Sequence, residues 1–234
     1  MRAAGLAAIL SLVIAAPAAA ATRSFPVASF TRLKVEGPFD VRVRTGAAAA
    51  VLAHGLPSHL DRLIVARRGD MLIVTNERGG NWRPLNQGKE DAIRIDVAVP
   101  TLQAVEMTGA GSVGIDRIRA STFRALLTGS GELTIGRLDA GRLAAEVAGS
   151  GDMVVTSGRT GRSDVSLRGS GDFRGSGLAV RLLTASVAGA GDLLVGPTRV
   201  ARAKLAGSGD IVIGGRPHCT ENRVGSGRLR CGAR

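Results

Sequence analysis

A Gly-[Ser/Ala]-Gly triplet returns seven times in the second half of the chain, and its spacing decides what the chain can fold into. The copies are Gly109-Ala110-Gly111, Gly129-Ser130-Gly131, Gly149-Ser150-Gly151, Gly169-Ser170-Gly171, Gly189-Ala190-Gly191, Gly207-Ser208-Gly209 and Gly225-Ser226-Gly227. Their first glycines lie 20, 20, 20, 20, 18 and 18 residues apart. A flexible linker has no reason to keep such a period. A solenoid does, because each coil must return to the same place on its neighbour.

The flanks carry the same message. Two residues before the triplets stand Met107, Leu127, Val147, Leu167, Val187 and Leu205; two after them stand Val113, Leu133, Met153, Phe173, Leu193 and Ile211. Apolar residues alternate with polar or small ones on both sides, which reads as two strands per coil. Twenty residues are too few for two strands and a crossover helix, a unit of ~30 residues. They suffice for one turn of a right-handed parallel β-helix, an all-β solenoid whose coils of 18–20 residues rise ~4.8 Å each. Seven coils would form a rod roughly 30–35 Å long. The triplet then marks a corner, where glycine permits positive φ and close approach of stacked backbones.

Three segments follow. Residues 1–21 have one basic residue, an apolar run, "GLAAILSLVIAA", and small residues before a cleavage point, as in a secretory signal peptide. The run is too short to span a bilayer, no cysteine follows it for lipid attachment, and no later stretch is long and apolar enough to cross. Residues 22–100 lack triplets but alternate strongly, as irregular coils of the same solenoid or a β-sheet cap on it. Their one long polar loop, "NERGGNWRPLNQGKED", holds Trp82. Residues 101–234 are the regular coils, closed by a cap in which Cys219 and Cys231 bracket the last triplet. In an exported chain an even cysteine count favours a disulfide, here one that pins the final coil. Export places the protein in the periplasm or on the cell surface.

The formal net charge is +12, and of 31 basic residues only Lys34, Lys89 and Lys204 are lysine. Such a surface attracts acidic glycans, phosphorylated lipid headgroups and other anionic envelope polymers. The alternative is arginine used wherever a solvated charge is needed. With no Tyr, one Trp and five Phe, platforms for stacking nucleic-acid bases are nearly absent.

The stretches "FTRLKVEGPFDVRVRTG", "GDMLIVTN", "IRIDVAVPTLQAVEMTGAGSVGI" and the repeated "GSGD" resemble exported bacterial proteins of the putative auto-transporter adhesin, head GIN domain family. The resemblance covers about Phe30 to Leu229. It implies a β-helix-like fold in the bacterial envelope and brings no catalytic residues with it.

An acidic ladder, Glu132, Asp152, Asp172, Asp192 and Asp210, runs beside the triplets. Glycine-rich nonapeptide repeats hold calcium between coils with such residues, but their period is about nine, and calcium wants six or more oxygens. The reading favoured here is structural: each carboxylate accepts hydrogen bonds from nearby turn amides. No catalytic residue, metal site or cofactor is assigned. A glycosidase needs one singled-out pair of carboxylates, which an even ladder does not supply. A polysaccharide lyase needs a positioned base, and no local motif marks one. The triplets are not G-x-S-x-G elbows, and His54, His59 and His218 lack a clear nucleophile partner. Binding or scaffolding remains. Arg142, Arg162 and Arg202 are expected in corresponding places on different coils, with Arg124, Arg168 and Arg174 extending a basic face suited to a linear polyanion. Oligomeric state is left open.

Overall fold

Inward apolar residues recur along each coil in steps of two, interrupted by two steps of three, and those slips give the coil its shape. Between Glu132 and Gly149 the inward residues are Leu133, Ile135, Leu138, Ala140, Leu143, Ala145 and Val147. A step of three turns two successive side chains outward and bends the strand. Pairing with the next coil accordingly runs over 132–135, 137–140 and 142–149 and skips Gly136 and Gly141. Each coil therefore has three sides, not the two that the triplet flanks suggest. The extra side, 137–140, escapes a period-2 reading because it is entered and left through a phase slip.

The structure, a computed structural model, describes residues 21–77 and 93–233. Residues 1–20 of the segment 1–21 read above as a signal peptide, and Trp82 with most of its polar loop, lie outside the described residues. The elements are β1 (Ala21–Phe25), β2 (Arg32–Glu36), β3 (Asp40–Thr45), β4 (Ala50–Gly55), α1 (Pro57–Leu60), β5 (Leu63–Arg68), β6 (Met71–Asn76), β7 (Arg94–Val99), β8 (Ala104–Gly109), β9 (Ser112–Gly129), β10 (Glu132–Gly149), β11 (Asp152–Gly169), β12 (Phe173–Gly175), β13 (Leu178–Gly189), β14 (Leu193–Gly207), β15 (Ile211–Val224) and β16 (Leu229–Ala233). From β8 onward every pairing among the described residues is parallel, with register shifts only in the pairings of β15 with β14 and β16, giving a parallel β-solenoid of about six turns.

The N-terminal strands join the same sheet. β2 stacks under β8 and β3 under β9; β6 and β7 form the next layer down, all parallel. Gly37-Pro38-Phe39 is one more corner beneath Gly109-Ala110-Gly111. The Gly37 N–H donates to the Thr108 carbonyl at 3.0 Å and the Ser112 N–H to the Phe39 carbonyl at 2.8 Å. Antiparallel β1, β4 and β5 close this end, so among the described residues no parallel strand is left open there as a template for another chain.

The core is a set of vertical rows. Val35, Met107, Leu127, Val147, Leu167, Val187 and Leu205 form one, all buried. Each such side chain contributes about 1.5–3 kcal/mol by leaving water. Rows compensate one another. Phe173 is the largest member of the Val113–Ile211 row, and the adjacent row has glycine at that coil. A Cβ on Gly175 would sit 2.8 Å from the Phe173 ring, so the small residue makes room for the large one.

Two coils are shorter, and both lose length on one side. Gly175 to Val180 is replaced in the next coil by Val195 to Thr198, two residues fewer, with Gly196-Pro197 at the shortened bend. The solenoid therefore narrows on its short side from β14 upward.

Candidate functional site

The triplet corner carries the acidic ladder. The first glycine of each triplet has φ between 115 and 138°, the left-handed region that suits glycine. The Ser150 N–H donates to the Gly129 carbonyl, and Ser170 to Gly149, each at 2.9 Å. The aspartates then lock one coil to the next. Asp152 Oδ1 accepts from the Asp172 N–H at 3.1 Å, Asp172 from Asp192 at 2.9 Å, Asp192 from Asp210 at 2.8 Å, and Asp210 from Arg228 at 2.8 Å. The partner amide thus belongs to the equivalent position one coil up, not to the residue's own turn. Glu132, one methylene longer, leaves this relay and accepts instead from Thr134 Oγ1 at 2.8 Å. Charge repulsion along the row is offset by Arg174, which reaches Asp172 at 2.7 Å and Asp152 at 3.2 Å.

This geometry predicts that Asp172→Ala destabilises the fold by about 1–2 kcal/mol, since it strips the acceptor from the Asp192 amide. Asp172→Asn, whose side-chain oxygen still accepts, should cost less. Urea unfolding with and without chelator measures both effects; a stability that falls with chelator would replace the amide relay with a metal. The one grouping of metal-type side chains among the described residues is Cys219, Glu221 and Cys231, and its two sulfurs form the Cys219–Cys231 disulfide.

Most arginines expected to form the basic face are already engaged. Arg142 and Arg162 both bond Asp164, at 2.7 and 3.2 Å. Burial opposes charge on Asp164, but the hydrogen bonds from Arg142 and Arg162 outweigh it and hold the carboxyl below its ordinary range. Arg168 pairs with Glu146, and Arg174 is held as described. The expected alignment of Arg202 with Arg142 and Arg162 does not occur. That row continues through Leu182 and Val200, whereas Arg202 lies above Thr184, Asp164, Ala144 and Arg124. The shortened coil shifts its numbering by two, which moves Arg202 to the neighbouring outward row. Arg124 and Arg202 are exposed and have no ion pair among the described residues.

A further group of arginines without ion pairs among the described residues lies at the bend after the short side. Arg181 and Arg199 sit between the paired rows Val180–Thr198 and Leu182–Val200. Arg216 follows one coil up, between Gly215 and His218, the partners of Thr198 and Val200. All three are exposed, and none has an ion pair among the described residues. Where the coil narrows, the broader coil below projects as a ledge, and the step leaves an open recess of about 870 Å³. Arg159, Arg181, Arg199, Arg216 and His218 line it, and no carboxylate among the described residues does. Arg159 is shared with Asp139 at 3.7 Å. The hydrogen bond from Arg137, with Arg159 and Arg119 nearby, holds that carboxyl below its ordinary value despite partial desolvation. Arginines one coil apart lie ~4.8 Å from each other. They repel unless an anion bridges them, so an unpaired row of this kind is poised for a multivalent anion.

The family model for the putative auto-transporter adhesin, head GIN domain, matches residues 29–217. The chain belongs to this family. The head GIN domain also has structural counterparts. A putative adhesin from Bacteroides fragilis superposes with a TM-score of 0.83 at 21% identity, covering 90% of this chain and 96% of that one. A putative adhesin from Parabacteroides merdae gives 0.69 at 14% identity, with 91% and 96% covered. A protein from Parabacteroides distasonis described as a putative lipid binding protein gives 0.67 at 18%, again over 91% and 96%. At these identities the likeness establishes the fold. No curated protein matches the sequence. Among the described residues of this head GIN domain no helix is long and apolar enough to cross a membrane.

Proposed function

We propose that this protein is an exported, non-enzymatic, adhesin-like module of the cell envelope whose basic side binds anionic surface polymers. The observation that carries the reading is the group Arg181, Arg199 and Arg216, which come from successive coils at one bend and have no ion pair among the described residues. Family membership supports an adhesin-like role, and the disulfide suits an oxidising compartment. Because the charges repeat along the rod, a linear chain of carboxylates, sulfates or phosphodiesters gains from each added coil, as multivalent binding requires.

Retention on a heparin-type matrix tests this. The protein should be retained at low salt and released as salt rises, while an uncharged matrix leaves it unretained. Arg181→Glu/Arg199→Glu/Arg216→Glu should elute at much lower salt, with the log–log salt slope reduced by about one for each arginine that no longer meets an anionic group. Equal behaviour on charged and uncharged matrices would overturn the reading. So would release of reducing ends or unsaturated uronates from acidic polysaccharides, which would make the protein an enzyme.

A further inference from the structure

The two outward rows that flank the arginine corner both carry apolar residues where the solenoid narrows. On one side the row holding Arg142 and Arg162 becomes Leu182 and Val200. On the other, the row holding Val154 and Arg174 continues as Leu194 and Val212. Leu182 is 39% exposed and Leu194 36%, values that leave a large part of each apolar side chain in water. A second hollow, about 470 Å³, lies along Leu194 and Val212 and shares Pro197, Gly215 and Arg216 with the arginine recess. The two hollows are thus one continuous surface with a charged part and an apolar part, joined at Arg216.

A bare polyanion uses only the charged part. It would leave Leu194, Val212 and Leu182 as wet as before. An anionic lipid uses both, because its headgroup bears the charge and the start of its acyl chains is apolar. Long arginine side chains suit that boundary: their stems lie on apolar surface while their guanidinium groups stay at headgroup level. We infer that this face docks on an anionic lipid surface. Arg181, Arg199 and Arg216 take the phosphates, and Leu194, Val212 and Leu182 enter the acyl boundary. The inference rests on the proposed anion-binding role of the same arginines and adds the class of anion.

Cosedimentation with vesicles decides it, alongside retention on the heparin-type matrix. The purified protein should bind vesicles of phosphatidylcholine with phosphatidylglycerol and leave pure phosphatidylcholine vesicles unbound. Leu194→Ser/Val212→Ser should bind the anionic vesicles about tenfold more weakly while keeping its retention on the matrix. Arg181→Glu/Arg199→Glu/Arg216→Glu should lose vesicle binding and elute from the matrix at much lower salt. All five side chains point outward, and unchanged melting of each variant confirms that the coils are intact. If the Leu194/Val212 variant binds vesicles like the parent, or the parent binds the matrix and no vesicle, the lipid inference fails and the polyanion reading stands. If the arginine variant keeps both activities, both readings fail at this surface.

Discussion

Gly171→Val should prevent stable folding, or lower stability by more than about 4 kcal/mol, the range reserved for a clash or strain the native state cannot relax. A Cβ at Gly171 would lie 2.0 Å from the Gly151 carbonyl oxygen and 3.0 Å from two further backbone atoms of the same glycine. The obstacle is the backbone of the coil below, which cannot rotate away as a side chain can. To make room, two coils would have to separate at the corner. That would break the Ser170-to-Gly149 bond and the Asp152-to-Asp172 amide link beside it. Because stability in a solenoid is a sum of nearest-neighbour contacts, one failed interface in the middle splits the rod into two halves, each with a new open end. Gly114→Thr is the matched control. An added Cβ there meets nothing within 4 Å, and the outward row it occupies already holds Thr134 one coil up. It should leave stability unchanged or raise it by up to about 1 kcal/mol, since a β-branched residue replaces glycine in a strand. Urea unfolding of both variants separates a corner requirement from a general intolerance of mutation. Equal losses at the two glycines would refute the stacking account.

The contrast between these glycines shows what a single sequence discloses. The corner glycines are readable because the constraint on them is local and repeated: each must bend, and each must do so at the same phase. The inward rows are readable for the same reason. The third side of the coil is also written in the chain, in the steps from Ile135 to Leu138 and from Ala140 to Leu143, but a phase slip looks like noise until pairing fixes it as a bend. Gly37-Pro38-Phe39 is harder still. It stacks on a triplet 72 residues later, and a Gly-Pro turn in sequence resembles any other. Arginine placement fails for a different reason. Counting by 20 aligns Arg202 with Arg142 and Arg162, and the two residues missing at Gly196-Pro197 undo it. The row that does form, Arg181, Arg199 and Arg216, is spaced by 18 and 17 residues, with no motif around it. What distinguishes it is that three arginines without ion pairs meet in one recess whose lining holds no carboxylate among the described residues, and that depends on which rows become neighbours. Yet the location is hinted at: the period drops from 20 to 18 in the coils that build the recess.

Reduction of Cys219–Cys231 should lower stability by about 2–3 kcal/mol and melting by roughly 5–10 °C for a chain of this size. The pair spans 12 residues and closes the end of the solenoid opposite the antiparallel cap. β16 is a five-residue strand registered only to Ile211–Gly214 of β15; the remainder of β15 has no strand above it among the described residues. Beyond strand pairing, this coil is tied down by the Asp210 link to the Arg228 amide, the Gly227 N–H on the Gly207 carbonyl at 3.1 Å and the Arg223 bond to the Gly227 carbonyl. Cys231 stands above Ile213 on one side of the coil, and Cys219 above Ala201 on another. Both are half-buried against the core, so the bridge crosses the open top of the interior and covers it. Its removal should act locally. Hydrogen exchange ought to speed up in β16 and the outer part of β15, while β10 and β11, each sandwiched between coils, keep their protection. Cys219→Ser/Cys231→Ser should reproduce the effect of reductant. Melting that stays unchanged in both would mean that pairing and the Asp210–Arg228 link hold the last coil unaided. A loss of protection extending down to β10 would mean that the end cap sets the cooperativity of the whole rod.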